Sequence, residues 1–185
     1  MFARFAAAAV PFAAAMLGGA SHAYELEEFR VGATMHNITI FDDKIGYKEK
    51  GPNVEAELVF DSPDGLRWLG APRPYAMASY NTHGRTSWAG VGLYWRIQLS
   101  ENWAIEPGLG YVLHNGEIDI PYPPGDPRNQ EFADKNVLLG SRDLFRDTLA
   151  IERKMFPGFA MQLYYEHLSH GQILGQGRNQ GMDEL

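Results

Sequence analysis

Hydrophobic and polar positions alternate with a period of two over much of the chain. From Ser87 to Leu99 the odd positions read Ser, Ala, Val, Leu, Trp, Ile, Leu. The even ones read Trp88, Gly90, Gly92, Tyr94, Arg96 and Gln98. From Trp103 to Leu113, Trp103, Ile105, Pro107, Leu109, Tyr111 and Leu113 share one face, with Ala104, Glu106, Gly108, Gly110 and Val112 on the other. The segments 29–36 and 54–60 repeat the pattern, with Arg30, Thr34, Glu55 and Glu57 on the polar side. A period of two is the signature of β-strands with one apolar face. It predicts strands at roughly 28–37, 53–60, 74–82, 86–99, 102–115, 138–154 and 158–169, joined by polar, Gly/Pro-rich connections.

Two architectures produce this alternation: a soluble sandwich with its apolar faces inward, and a membrane barrel with its apolar face toward lipid. Charges of both signs (Arg30, Glu55, Glu57, Arg96, Glu106) and glycines share the polar face, which suits a barrel lumen where charges can pair. Several strands are about ten residues long, as tilted spanning strands require. Trp68, Trp88, Trp95, Trp103, Tyr75 and Tyr111 recur near strand ends, as in interfacial girdles. With a periplasmic N-terminus, the connections near Ser100-Glu101 and Phe156-Pro157-Gly158 are short inner turns and the connection 119–136 is an outer loop. Pro107 lies inside a strand and predicts a bulge there.

The first residues change the picture of location. Arg4, an apolar stretch from Phe5 to Leu17, and Ser21-His22-Ala23 make a secretory signal peptide, cleaved after Ala23. The domains are therefore 1–23, signal peptide, and 24–185, barrel. The fold expected is all-β: an eight-stranded antiparallel transmembrane barrel whose last strand begins near Gly181 and is mostly absent. The chain has no cysteine, so stability rests on burial and backbone pairing. Its net charge of −7 argues against nucleic acid as a partner. The mean hydropathy of −0.30 reads as soluble, an inference that fails for barrels because their strands average out. Asp42-Asp43 and the Asp126, Glu131, Asp134 cluster lack a calcium-loop spacing and read as solvated loop charge.

The candidate chemistry lies at the end of the chain. Phe159, Met161, Leu163, Tyr165, His167 and Ser169 share a face that points to lipid, and Gln162, Tyr164 and Glu166 face the lumen. Residues two apart on a strand stand about 6.6–7 Å apart at Cα on one face, within reach for an imidazole and a hydroxyl. That is the base and nucleophile of an esterase. A bare His-x-Ser is weak by itself. Asn179-Gln180-Gly181-Met182-Asp183 follows one hairpin later and supplies an amide and a carboxylate. On a returning strand Asp183 reaches His167, and Asn179, or the backbone N–H groups around His170 and Gly171, can hold an oxyanion. Alternation turns Glu184 inward.

These residues resemble the outer-membrane lipid A 3-O-deacylases of the PagL type. That family's signature is His-x-Ser-Asn-(Ala/Gly), a short loop, then Asn-x-Gly-x-acid. Here it reads His167-Leu168-Ser169-His170-Gly171 and Asn179-Gln180-Gly181-Met182-Asp183. "EHLSHG", "NQGMD", "IEPGLG" and "LLGSRDLFRD" are also similar to family members. The resemblance implies a bacterial outer-membrane barrel with its site on the outside wall, hydrolysing the ester-linked acyl chain at the 3 position of lipid A. It implies Ser169 as nucleophile, His167 as general base, Asp183 as the orienting acid, and Asn179 with Gly171 at the oxyanion. It implies lipid A or lipopolysaccharide as the molecular partner, with a second copy of the chain as a further candidate, and neither a cofactor nor a metal in the chemistry. Two positions depart from the pattern: His170 stands where Asn is usual, and the acid is Asp rather than Glu. A non-catalytic barrel of the same fold and a soluble periplasmic ligand-binding β-protein are the competing readings.

Overall fold

The structure is a computed structural model and describes residues 25–38 and 48–185. The expected signal peptide and the Asp42-Asp43 pair lie outside the described residues. The alternating segments form β1 (Leu26–Met35), β2 (Pro52–Phe60), β3 (Arg73–Asn81), β4 (Trp88–Tyr94), β5 (Ile97–Gln98), β6 (Trp103–His114), β7 (Asp143–Phe156), β8 (Phe159–Ser169) and β9 (Met182–Glu184). They make one antiparallel sheet in the order β1-β2-β3-β4-β6-β7-β8-β9, with β5 paired to β6. The sheet curls until its ends meet. The Met35 N–H donates to the Leu185 carbonyl at 2.8 Å and the Ile38 N–H to the Asp183 carbonyl at 2.9 Å. The three residues of β9 thus bridge β8 and the end of β1, and the fold is an all-β barrel.

The sequence alternation becomes an inside and an outside. On β2, Asn53, Glu55, Glu57 and Val59 are buried while Val54 and Leu58 are exposed. Phe29, Val31, Leu109, Leu149, Ile151, Met161 and Leu163 continue the exposed apolar belt around the wall. This is the reverse of a soluble sandwich, in which those side chains would be covered. No described helix is long and apolar enough to cross a membrane. The one α-helix among the described residues, α1 (Arg128–Lys135), is short and sits in the long β6–β7 connection.

The lumen is filled by ion pairs rather than by oil. Toward the end with the short turns, Arg30 pairs with Glu106 at 2.6 Å, Arg73 with Glu28 at 2.5 Å and with Glu106, and Arg96 with Glu152. Toward the other end, fully buried Arg146 donates to Glu166 at 2.5 Å and to the Tyr94 hydroxyl at 2.7 Å, and lies 3.2 Å from Glu57. Tyr94 in turn donates to Glu57 at 2.6 Å. Tyr75 stacks on Tyr94 with centroids 4.1 Å apart. Gly92 and Gly110 leave the room its ring and hydroxyl occupy, since a Cβ at either would overlap the Tyr75 hydroxyl. Removing one partner of such a buried network leaves an uncompensated charge, at a cost of about 3–5 kcal/mol. Arg146→Met is therefore expected to lower the temperature at which the folded, fast-migrating band disappears on heating in detergent gels, without changing the outward face.

Four expectations need correction. The strand expected over 86–99 is interrupted at Trp95-Arg96 and continues as β5. The bulge expected at Pro107 does not form: the β6–β7 register runs unbroken through Pro107↔Leu149. The missing proline N–H falls opposite the gap between β4 and β5, where no ladder partner is needed, while the Pro107 carbonyl accepts from the Trp95 N–H at 2.9 Å. The strand expected from 138 starts at Asp143, because 137–142 is a connection in which Val137, Leu138 and Leu139 are inaccessible to solvent. Trp88 and Tyr75 belong to the lumen and not to a girdle. Both fall on the inward phase of their strands, where Trp88 stacks on His36 at 6.0 Å between centroids.

Candidate active site

Period two places the site residues. On β8, Glu166 and Leu168 are buried, and His167 and Ser169 are partly exposed on the outer wall. They lie at the end of the strand where the barrel is closed by β9. Antiparallel pairing sets Asp147 of β7 opposite His167 on one side and Asp183 of β9 on the other. The Asp183 Oδ1 is 2.7 Å from the His167 Nδ1. A carboxylate there accepts the Nδ1–H hydrogen bond and leaves Nε2 with its lone pair free. The Tyr165 hydroxyl, one pleat down the same face, donates to the same Asp183 oxygen at 2.7 Å. Gly181 has φ +66° and lies against the imidazole, so a Cβ there would stand 3.0 Å from Cε1. A side chain at position 181 would meet both strain and the ring.

Ser169 follows His167 on the same face, beside Phe145 of β7. Its hydroxyl makes no hydrogen bond among the described residues, so it is not spent on structure. In a serine esterase the contact with the base is often long before substrate arrives. His167 and Asp183 are thus brought into contact, and Ser169 is brought to the same face without a recorded bond to the ring.

Asn179 is near but turned. Its Oδ1 accepts from the His170 N–H at 3.3 Å. One backbone donor considered for an oxyanion is therefore occupied by the side chain considered for the same role. The Asn179 Nδ2 and the Gly171 N–H remain as donors. Gly171 adopts φ +59° and packs on Phe145.

His170 has a structural task. It is fully buried, its Nδ1 accepts from the Gln172 N–H at 3.1 Å, and its Nε2 is 2.7 Å from the Arg178 carbonyl. The accepting Nδ1 fixes the proton on Nε2, which donates to that carbonyl. The ring therefore ties the start of the β8–β9 loop to its end, just before Asn179. The loop is also clamped to 138–141. The Leu138 N–H donates to Gln180 Oε1 at 2.7 Å, and the Gln180 N–H to the Leu138 carbonyl at 3.4 Å. Gly140, at φ +74°, passes so close to the Arg178 carbonyl that no Cβ fits. "LLGSRD" is the floor under the loop that carries Asn179.

Inside the wall, Glu184 anchors β9. Its carboxylate accepts from Thr34 Oγ1 at 2.5 Å and from Asn53 Nδ2 at 3.3 Å, and lies 2.5 Å from His36 Nδ1. Glu184 therefore faces the lumen and Asp183 the outside. His36, just past β1, also meets Glu49, which accepts from Thr86 Oγ1 at 2.6 Å and from the Val137 N–H at 2.9 Å. Burial disfavours a charge on His36, but hydrogen bonds from its ring to Glu184 and Glu49 outweigh this and hold its pKa up to about 9. Burial would raise the Glu49 carboxyl. The bonds from His36, Thr86 and Val137 prevail and hold it below its ordinary value.

Tyr165 as a partner of Asp183 was not legible in the sequence, since an outward Tyr on a barrel wall reads as part of the apolar belt. Asp147 was equally hidden, because cross-strand neighbours depend on register. A cavity of about 890 Å³ runs between β1 and β8 into the lumen, lined by Arg30, Glu57, Glu106 and Arg146 among others. None of Ser169, His167 and Asp183 lines it. The arrangement is a surface site, open to whatever lies against the wall.

A family model for lipid A 3-O-deacylase (PagL) matches residues 54–185. No curated protein and no solved structure matches the chain. The matched span runs from β2 through β9 and includes every candidate site residue, so the chain belongs to the lipid A 3-O-deacylase (PagL) family.

Proposed function

We propose that this protein is an outer-membrane serine esterase that removes the 3-position, ester-linked acyl chain of lipid A. The observation that carries the proposal is the outward-facing His167–Asp183 pair beside the unengaged Ser169 hydroxyl, on an apolar wall. An acyl ester of a membrane lipid lies alongside such a wall. An enclosed pocket would force it out of the bilayer first.

The His167 Nε2 takes the Ser169 proton as Oγ attacks the ester carbonyl. Asp183 holds the imidazole by its Nδ1–H and balances the positive charge that develops, and Tyr165 fixes the carboxylate. The Asn179 Nδ2 and the Gly171 N–H lie on the loop that would meet the oxyanion. His167 then returns the proton to the sugar oxygen as the acyl group stays on Ser169. Water, activated by the same imidazole, releases the fatty acid.

A fluorophosphonate reagent tests the nucleophile. The folded protein in detergent should be labelled on the peptide containing Ser169, and His167→Ala should suppress the labelling at least about a hundredfold. A folded wild-type protein that takes no label would favour a non-catalytic barrel of the same fold.

A further inference from the structure

The end of the lumen near β9 holds charges that the esterase chemistry leaves unused. Glu55, Glu166 and Glu184 are all buried, and each offers a carboxylate oxygen such that these atoms lie within 4.8 Å of one another. An acidic cluster alone can simply hold protons. A second observation concerns two oxygens. The Glu55 Oε1 and the Glu166 Oε1 are shielded from solvent and have no hydrogen-bond partner among the described residues. Their sister oxygens are engaged, Glu55 Oε2 by the Tyr164 hydroxyl and Glu166 Oε2 by Arg146. A buried carboxylate oxygen without a partner is costly, and two in one cluster call for a shared occupant.

The local cations among the described residues do not supply it. Arg146 is divided among Glu166, Glu57 and Tyr94, and His36 between Glu184 and Glu49. The trio is therefore short of positive charge. All the donors are hard oxygens, and the cluster offers neither thiolate nor a free imidazole, which selects for calcium or a similar hard ion over zinc or copper.

We propose that Glu55, Glu166 and Glu184 form a buried binding site for one divalent cation of the calcium class, which ties β2, β8 and β9 together inside the barrel. The ion bridges the two partnerless oxygens to the residue that anchors β9. Its role is structural, and the proposal stands independently of the esterase reading.

The test uses the full chain folded in detergent free of lipopolysaccharide, whose phosphates bind the same ions. After treatment with EDTA and removal of the chelator, calcium chloride is titrated by calorimetry. One ion should bind per chain, and Glu55→Gln should weaken the affinity at least tenfold. Saturating calcium should raise the wild-type melting temperature by about 5 °C. A second measurement needs no variant: terbium bound to the wild type should luminesce on tyrosine excitation, because Tyr164 bonds to Glu55, and calcium should quench that signal by displacement. Either absence of calcium binding and of calcium-displaceable terbium luminescence in the wild type, or unchanged affinity in folded Glu55→Gln, would overturn the site and leave a shared proton as the occupant.

Discussion

Ser169→Ala should abolish ester hydrolysis and leave the barrel intact. The hydroxyl makes no hydrogen bond among the described residues and faces outward, so its removal opens no cavity and orphans no partner. The folded band on unheated detergent gels should match the wild type. Release of 3-hydroxy fatty acid from purified lipopolysaccharide in micelles should fall by at least about 10³-fold, as expected when a nucleophile is lost and only binding and oxyanion stabilisation remain. Retained activity would remove Ser169 from the chemistry and leave the surrounding geometry without a function.

Asp183→Asn should be nearly as severe, for a different reason. The Asp183 Oδ1 accepts both the His167 Nδ1 proton and the Tyr165 hydroxyl. An Asn that puts its NH2 in the place of that oxygen donates to Nδ1 and, with its second hydrogen, to the Tyr165 oxygen. The imidazole must then accept at Nδ1 and carry its proton on Nε2, where it cannot receive one from Ser169. Loss of the correct tautomer costs about 10³- to 10⁴-fold in kcat. Asp183→Glu keeps the acid and should retain far more activity. If Asp183→Asn stays within tenfold of the wild type, the orienting acid is not Asp183. Asp147, across the ladder from His167 on β7, becomes the group to replace.

The parts of this account that follow from period two were legible in the sequence. Alternation along 159–169 sends His167 outward and Glu166 inward, and the same rule separates Asp183 from Glu184 on β9, as the Glu184 contacts with Thr34 and His36 bear out. The lumen pairing of Arg30, Glu57 and Glu106 was legible as mixed charge on one face, although which charge meets which depends on register and barrel curl. Cross-strand contacts were not legible for that reason: Tyr165 reaches Asp183 only because β8 and β9 pair at His167↔Asp183. Loop contacts were least accessible. The fully buried His170 stands where the family motif usually has Asn, and it became a loop tie because its two nitrogens meet a backbone N–H and a carbonyl eight residues on. Pro107 misled because the local rule assumed a continuous partner strand, whereas the neighbour is interrupted beside it.

The central claim is that this wall cuts the 3-position ester of lipid A, and lipid A mass spectrometry tests it most directly. The full-length protein and its Ser169→Ala variant are expressed to equal levels in the outer membrane of a Gram-negative host that lacks a deacylase of its own. With the wild type, lipid A should lose the mass of one 3-hydroxyacyl chain, and fragmentation should place the loss at the 3 position. The variant should leave lipid A unchanged. Identical spectra from both strains, with the wild-type barrel folded in the outer membrane, would contradict the account.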